Sequence, residues 1–341
     1  MGKKIIRSIA PLRIGIAGGS SDLPHFVKDY GGLVLNATIN KYVYASLQPR
    51  TDSEISIDSH DYNIIINGRA NRKLPYDGNL DLIKAVINRI NTLYTGIIPG
   101  FDIVVSSDAP PGAGLGTSST VIVAILGLFR EWLGLYLNDY KMAQLACEIE
   151  RNDMGLAGGS QDQYAAVFGG FNFMEFHQDG SVIVNPLRIR NWVLKELQHN
   201  ILLVYTGLTH TSSDLIRDQE KSTEQNIEYI KHIKQIATAA KEDLLTEDLK
   251  NFGQILSLEW CYKKKLSKLV TNEVIDSMER VAIENGAEGL KVTGAGGGGM
   301  MIVYADWSKK HNIAEALRKL GCNPWDFAWE QNGVYTWTIR Q

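Results

Sequence analysis

With 341 residues, the chain exceeds the ~100–200 of a typical single domain, so two domains that share a cleft are expected. Its 44% hydrophobic and 21% charged residues are ordinary for a soluble globular protein, and a formal charge of −3 gives no electrostatic reason to expect nucleic acid or an anionic membrane as a partner. Three cysteines, Cys147, Cys261 and Cys322, lie far apart without a CxxC spacing, which argues against a disulfide framework and a zinc site.

The N-terminal segment is not expected to act as an export signal. The sequence that begins Met1–Lys4 lacks an apolar stretch long enough for a signal peptide, and no run in the chain approaches 18 apolar residues. We therefore expect a cytoplasmic protein.

Strands and helices alternate in the first half of the chain. Val, Ile and Tyr recur in segments typical of strands, at Ile5–Ile9, Leu33–Leu47, Glu54–Ser59, Asn63–Asn67 and Phe101–Ser107. Apolar residues recur at intervals of three and four, as in helices packed on a sheet, at Asn79–Tyr94, Ser119–Leu133 and Tyr140–Asn152. This half is therefore predicted to mix α and β structure.

The second half is predicted to be more helical. A strand at Asn200–Thr206 precedes a long helical stretch from Asp214 to about Asn285, where Thr211 and Asp214 form a T-x-x-D capping pattern. Two short apolar strands, Gly289–Val292 and Met300–Tyr304, follow. We place a domain boundary near residue 190, which gives domains of residues 1–190 and 191–341.

A glycine-rich segment joins a predicted strand to a predicted helix at Asp108–Ser119. Three alternating glycines allow backbone N–H groups to converge on an anion, and the first helical turn has no acidic residue to occupy the positive end of the dipole. A phosphate site is one interpretation, and a plain connecting loop with Ser118 as N-cap is the other. The sequence lacks the Lys of GxxxxGK[ST] and the third Gly of GxGxxG.

A second glycine-rich loop, Val292–Gly299, separates the two short strands. Five of the six residues from Gly294 to Gly299 are glycine. Each ordered glycine costs ~0.5–1 kcal/mol relative to alanine, more in sum than a simple turn requires. We therefore predict a functional role for this loop.

Three segments together resemble the motifs of the GHMP kinases. They are Ala10–Gly19, Pro110–Thr120 and Lys291–Gly299, in the family's order across nearly the whole chain. The resemblance implies an α+β fold, with an N-terminal domain like ribosomal protein S5 domain 2 and a ferredoxin-like C-terminal domain. Within the family, Ala10–Leu35 with its GGSSDLP core, together with Val34–Tyr42, looks most like the D-glycero-D-manno-heptose 7-phosphate kinases, and the fucokinase branch, with a similar first motif, is next.

The resemblance also implies roles for particular residues. Asp162 would be the catalytic base and Arg13 its cationic partner, while Ser118 and Glu150 would hold Mg²⁺. The predicted nucleotide-binding residues form one run: Pro111, Gly112, Ala113, Gly114, Leu115, Gly116, Thr117, Ser118 and Ser119. The predicted substrate-binding residues are Gly18, Gly19, Asp22, Gly294, Ala295 and Gly296.

Each charged residue in this set also has a plain structural interpretation. Glu150 lies at the flank of its predicted helix, where it could equally face solvent. Asp162 could be a loop or cap residue, and Arg13 could form a structural ion pair. Asp22, which precedes Leu23–Pro24, could cap the short helix that follows, and that role is compatible with binding a sugar.

The predicted activity is therefore ATP-dependent phosphorylation of a sugar or sugar phosphate. By resemblance, the acceptor is D-glycero-D-manno-heptose 7-phosphate and the reacting group is its anomeric hydroxyl. A fucokinase-like activity, an NAD-dependent oxidoreductase and a non-catalytic sugar or nucleotide sensor are the alternatives. ATP and Mg²⁺ are the expected cofactors, and neither a membrane nor a nucleic acid is expected.

Overall fold

The computed structural model describes residues 3–209, 212–220 and 224–340. Its strands are β1 (Lys4–Ala17), β2 (Gly32–Pro49), β3 (Glu54–Ser59), β4 (Ile64–Arg69), β5 (Phe101–Ser107), β6 (Phe171–Phe176), β7 (Val182–Pro186), β8 (Ile201–Tyr205), β9 (Gly289–Val292), β10 (Met300–Tyr304), β11 (Asn323–Trp325) and β12 (Tyr335–Arg340).

The α-helices are α1 (Pro24–Tyr30), α2 (Asp81–Leu93), α3 (Thr117–Leu133), α4 (Asp139–Glu148), α5 (Gln161–Phe168), α6 (Asn191–Asn200), α7 (Ser212–Glu220), α8 (Glu224–Thr246), α9 (Phe252–Leu266), α10 (Glu273–Glu284) and α11 (Trp307–Lys319). One π-helical turn, Ile149–Asp153, continues directly from α4. No described helix has the length and apolar character needed to cross a bilayer.

The larger sheet has the strand order β12-β1-β2-β5-β3-β4, and β6 pairs with β2 and with β7. Strand β2 is long enough to serve two neighbours, since Val43–Pro49 pairs with β5 and Gly32–Ala37 pairs with β6. Helices α3 and α5 pack on β1 and β2. The middle of α3 is buried throughout, with Phe129 at 5.4 Å from the ring of Phe101, so this helix anchors the sheet's core.

The smaller sheet has the order β11-β8-β10-β9, with antiparallel pairing throughout. Helix α9 packs on β9, and α8 lies against both α9 and the strands β1 and β2 of the larger sheet. The side chain of Trp260 is buried in the core beside this smaller sheet and donates a hydrogen bond from Nε1 to Glu279 at 3.0 Å. Helix α8 therefore ties the two sheets together.

The structure confirms the predicted alternation of strands and helices. Strands β3, β5, β9 and β10 have the predicted bounds, whereas the described part of the helical stretch from Asp214 holds α7, α8, α9 and α10, with non-helical residues between α8 and α9 and between α9 and α10. The C-terminal strand β12 returns to pair with β1, so residues 335–340 join the larger sheet. The Thr211 half of the predicted capping pattern lies outside the described residues.

Two alternative capping roles are wrong. Helix α3 begins at Thr117 after Gly116, whose φ of 75° places it in the left-handed region, so Ser118 lies inside the first turn. Helix α1 has Leu23 as its N-cap, without a side-chain cap, because the carboxylate of Asp22 is directed elsewhere. Neither residue is therefore explained by capping the helix beside it.

Candidate active site

A cleft of ≈ 330 Å³ opens between the two sheets and lies within the size range of small-molecule pockets. Its walls come from β1 and the turn after it, both glycine-rich loops, the segment around α5, and helices α7 and α9. Arg13, Asp22, Glu150, Asp162 and Lys263 all line this cleft. The structure thus brings the four charged residues predicted from the sequence to one place and adds Lys263 and Arg151.

The first glycine-rich loop forms one wall. Gly112, Gly114 and Gly116 have φ values of 77°, 72° and 75°, a region that side chains disfavour. The carbonyl oxygen of Gly114 accepts hydrogen bonds from Arg13 Nη1 at 2.6 Å and Thr293 Oγ1 at 2.9 Å. The loop leads into the N-terminus of α3, whose first turn has no acidic residue. It therefore offers a positive, backbone-lined surface to an anion.

The second glycine-rich loop packs directly against the first. A Cβ atom on Gly294 would lie 2.9 Å from the Cα of Gly114, and one on Gly299 would lie 2.5 Å from the carbonyl oxygen of Ala113. Met300 N–H donates to that same oxygen at 2.9 Å. The glycines here allow two backbones to approach, so this loop supports the shape of the first.

Only part of the second loop faces the cleft. Gly294 and Ala295 line it, whereas Gly296 packs against Val270, where a Cβ atom would lie 2.8 Å from the side chain. Of the predicted substrate-binding residues in this loop, Gly294 and Ala295 are the two that the structure places at the cavity surface.

Arg13 and Asp162 form a two-bond ion pair in the middle of the cleft. Arg13 Nε donates to Oδ1 at 2.7 Å and Nη2 donates to Oδ2 at 2.8 Å, while the side chains are 5% and 21% exposed. The Asp162 carboxylate also lies beside Gly116, where a Cβ atom would meet it at 3.2 Å. The pair therefore contacts the first glycine-rich loop and still faces the cleft.

Glu150 lies on the π-helical turn that follows α4. Its Oε2 accepts hydrogen bonds from Ser119 Oγ at 2.7 Å and from the Gln163 amide. Burial raises the pKa of this carboxyl group, although Arg151 and the Ser119 hydroxyl oppose the shift. No described residue donates a hydrogen bond to the other oxygen, Oε1. The hydroxyl that holds Glu150 is that of Ser119, and Ser118 lines the cleft beside it.

Asp22 faces the cleft from the turn between β1 and α1. Gln161 donates to its two oxygens through the backbone N–H and the side-chain amide, both at 3.1 Å. Gly159 allows this approach, because a Cβ atom there would lie 1.9 Å from Oδ2. Burial raises the pKa of the Asp22 carboxyl group. Asp22 thus accepts a hydrogen bond from the first N–H of α5, which belongs to Gln161. Asp162 is the next residue along that helix, so the two carboxylates lie on either side of Gln161.

Helix α9 contributes Lys263, which the sequence analysis did not select. Lys263 is 3% exposed, and its Nζ donates a hydrogen bond to the carbonyl oxygen of Gly294. One turn earlier, Glu259 pairs with Lys291 at 2.7 Å and accepts the N–H of Gly18 at 3.1 Å. Charged residues in the buried stripe of α9, alongside Leu256 and Trp260, are the signal that could have identified this wall.

Arg151 and Tyr62 complete the cleft. Arg151 donates hydrogen bonds to the carbonyl oxygens of Leu156, Ala157 and Gly159, which fixes the segment leading to α5. Tyr62 lies in the turn between β3 and β4 and is 56% exposed. Neither had been predicted as a site residue.

Comparisons with known proteins fit this geometry. The family model for the GHMP kinases N terminal domain matches residues 81–170, and that for the GHMP kinases C terminal domain matches residues 240–323. The D-glycero-alpha-D-manno-heptose 7-phosphate kinase of Campylobacter jejuni is 43% identical over 339 residues, which cover 98% of this chain and 100% of that protein.

Solved structures give the same result. A D-glycero-D-manno-heptose 1-phosphate kinase from Bacteroides thetaiotaomicron superposes with a TM-score of 0.86 and 40% identity, covering 98% of this chain and 100% of the other. Lactococcus lactis galactokinase, in complex with galactose, has a TM-score of 0.78 at 18% identity, covering 98% and 95% of the two chains. The second similarity shows the fold alone.

Proposed function

Because the chain belongs to the GHMP kinase family, we propose that it phosphorylates D-glycero-D-manno-heptose 7-phosphate at its anomeric hydroxyl and releases the 1,7-bisphosphate. The α+β GHMP kinase fold predicted from the sequence is confirmed. The chain is an ATP-dependent phosphotransferase that acts on a sugar hydroxyl. The finer assignment of the acceptor follows the name of the Campylobacter relative, while the Bacteroides structure is named for a heptose 1-phosphate.

The observation that carries this proposal is the position of the Arg13–Asp162 pair. Arg13 donates a hydrogen bond to Gly114 of the first glycine-rich loop. Asp162 directly follows Gln161, whose N–H donates a hydrogen bond to Asp22. A group transferred from a nucleotide on that loop to a sugar at Asp22 would therefore pass this pair. An NAD-dependent oxidoreductase does not require such a pair, and a non-catalytic sensor would have no need of it.

The nucleotide is proposed to bind through the run from Pro111 to Ser119. Backbone N–H groups of the loop and the positive end of α3 would bind its phosphates, since both present unpaired donors to an anion. The glycines with positive φ are required for this backbone shape. Thr117 lies at the start of the helix, and its buried hydroxyl oxygen has no hydrogen-bond partner among the described residues.

Mg²⁺ is proposed to bind at Ser118 and Glu150. The donor set fits, because Mg²⁺ prefers oxygen ligands and usually takes one or two from the protein and the remainder from phosphates and water. Accordingly, no cluster of three His, Cys, Asp or Glu side chains suited to a metal occurs among the described residues. Oε1 of Glu150 is free to bind while Ser119 and Gln163 hold Oε2. When bound, the ion would neutralise charge on the phosphates.

Asp162 is proposed as the general base and Arg13 as a cation beside the transferred group. The anomeric oxygen attacks the γ-phosphorus, its proton passes to an oxygen of Asp162, and the bond from the γ-phosphorus to the β-phosphate oxygen breaks to release ADP. Arg13 then stabilises negative charge on the transferred group, because its guanidinium is fixed by Gly114 before reaction.

The acceptor is proposed to lie on the Gly18, Gly19 and Asp22 turn. The Asp22 carboxylate already accepts two hydrogen bonds and has further lone pairs that sugar hydroxyls can use. Gly294 and Ala295 form the facing wall. We also propose that residues 1–190 and 191–341 act as two units around this cleft, with β12 crossing back to the first.

An ADP-release assay with a panel of free and phosphorylated sugars tests the proposal. Heptose 7-phosphate is expected to give the highest kcat/KM, and ³¹P NMR of the product should show an anomeric phosphate next to the original one. Faster phosphorylation of fucose, at equal subsaturating concentrations and saturating ATP, would reject the acceptor and favour a fucokinase-like activity. Absence of ADP release with every sugar would reject the sugar kinase activity itself.

A further inference from the structure

Lys263 is a buried cation that has no anionic partner of its own in the part of the chain that the structure describes. Its Nζ contacts the neutral carbonyl oxygen of Gly294, and among the described residues no carboxylate lies within ion-pair distance of it. The nearest acidic group on its own helix, Glu259, is already bonded to Lys291 and to the N–H of Gly18. Burying a charge in this way is costly unless a ligand compensates for it.

Space for such a ligand exists next to the amine. Gly19 has no side chain, and a Cβ atom there would lie 3.5 Å from Lys263 Nζ, which is an ordinary contact distance. Ser20 and Gln219 also line the cleft, and their side-chain oxygens are 3.4 Å apart. The amine therefore faces a polar space on the side of the turn assigned to the acceptor.

We propose that Lys263 binds the phosphate that the acceptor already carries, and so determines the preference for a phosphorylated sugar over a free one. This inference rests on the proposed function, and it assigns a specificity-determining contact within the acceptor site. An anion is favoured over a hydroxyl because an ammonium with a single carbonyl partner retains two donors and its full charge. A neutral hydroxyl would satisfy a donor and leave the charge uncompensated.

The charges around Lys263 support an anion-binding role. Arg13 on β1, Asp22 on the following turn, Glu259 on α9 and Lys291 on β9 are the charged groups that act on it. Burial, together with the positive charge of Lys291, lowers the pKa of the Lys263 ammonium to about 8. A bound phosphate would raise that pKa again, so the acceptor should bind best below pH 8 and progressively less well above it.

The decisive comparison pairs a Lys263 variant with two acceptors. Lys263→Met removes the charge at nearly constant length, Lys263→Arg retains a charge, and Lys265→Met makes the same change at an exposed position of the same helix. Each protein would be assayed with heptose 7-phosphate and with free D-glycero-D-manno-heptose at saturating ATP. Thermal melting and calorimetric binding of a non-hydrolysable ATP analogue would establish that each variant is folded.

Lys263→Met is expected to lower kcat/KM for heptose 7-phosphate by roughly 10- to 150-fold, the value of a charge-assisted contact. For free heptose, kcat/KM should change by less than about 3-fold. Lys265→Met should leave kcat/KM unchanged for both acceptors. Lys263→Arg should restore part of the difference between the two acceptors. An equal loss with both acceptors would overturn the proposal, because Lys263 would then serve the transferred group or the fold.

The wild-type protein gives two further outcomes. Equal use of free and phosphorylated heptose would overturn the specificity role while leaving the sugar kinase activity intact. Use of neither heptose would instead overturn the proposed function on which the inference rests. Should Lys263→Met fail to fold, the test is the wild-type ratio of KM for heptose 7-phosphate to KM for free heptose, measured from pH 7 to 9.5. The ratio should rise by up to about 10-fold per pH unit above 8, where phosphate itself no longer titrates; a flat ratio would overturn the proposal.

Discussion

Replacing Asp162 with Asn tests the centre of the cleft most directly. The change retains the shape of the side chain but removes its charge and its capacity to accept a proton. If Asp162 is the base, kcat should fall by about 10²–10⁴, which corresponds to roughly 3–5 kcal/mol in the activation free energy. Affinity for ATP should change little, because the carboxylate lies beside the loop rather than within it.

The same substitution also leaves Arg13 without its carboxylate. The guanidinium side chain is 5% exposed, so the lost pairing should lower the free energy of unfolding. We expect about 2–4 kcal/mol, below the upper end for fully buried pairs because the Asp162 side chain is 21% exposed. Thermal unfolding measures this loss separately from the loss of turnover.

Asp153→Asn provides the matched control. Asp153 forms a comparable two-bond pair with Arg89, at 2.9 and 2.5 Å, outside the cleft. That variant should lose some stability while retaining near wild-type kcat. Steady-state kinetics and calorimetry on both variants are the measurements. Near-normal turnover in Asp162→Asn, or an equal loss of turnover in the control, would refute the assignment of Asp162 as base.

Three further substitutions address the other walls. Gly114→Val should weaken ATP binding in calorimetry, because φ at Gly114 is 72° and a Cβ atom would lie 2.9 Å from the carbonyl oxygen of Thr293. Unchanged affinity in a folded variant would contradict the proposal that the first glycine-rich loop binds the phosphates of ATP. Glu150→Gln should raise the Mg²⁺ concentration for half-maximal rate. In the wild type, that concentration should rise as pH falls towards the raised pKa of Glu150, since protonation competes with the metal; a metal titration that neither change affects would place Glu150 outside the site. Asp22→Asn should raise the KM for the sugar with little effect on that for ATP, and an unchanged sugar KM would remove Asp22 from the acceptor site.

Much of the fold was predictable because its signals are local. Strands β3 and β5 alternate in sequence and are bounded by polar turns, so their limits follow from the pattern. The π-helical turn was not predicted, since the apolar spacing of Tyr140–Asn152 continues through Ile149 although the hydrogen bonding changes. The return of β12 to β1 was also missed, because sequence spacing says nothing of which distant strand a terminal segment joins.

Some of the cleft residues could likewise be predicted from the sequence, and others could not. Arg13 lies in the first motif, and the roles of Glu150 and Asp162 were implied by the resemblance; the structure places all three in the same cleft. Lys263 belongs to no such motif, and it reaches the cleft from helix α9. Glu259, one turn earlier on that helix, is buried and accepts the N–H of Gly18, some 240 residues away in sequence. Predicting them would have required reading charges in the buried stripe of α9 as functional.

The second glycine-rich loop can now be interpreted in energetic terms. Gly294, Ala295 and Gly296 were predicted to bind the substrate, and the first two line the cleft. Gly294 and Gly299 are also required as glycine because the backbone of the first loop lies against them. Arg13 on β1 and Thr293 at the start of the second loop both donate hydrogen bonds to the carbonyl oxygen of Gly114, so both fix the conformation of the first glycine-rich loop. If the first loop binds the nucleotide as proposed, the cost of ordering these glycines is offset because its N–H groups are oriented before binding, which would lower the entropy lost.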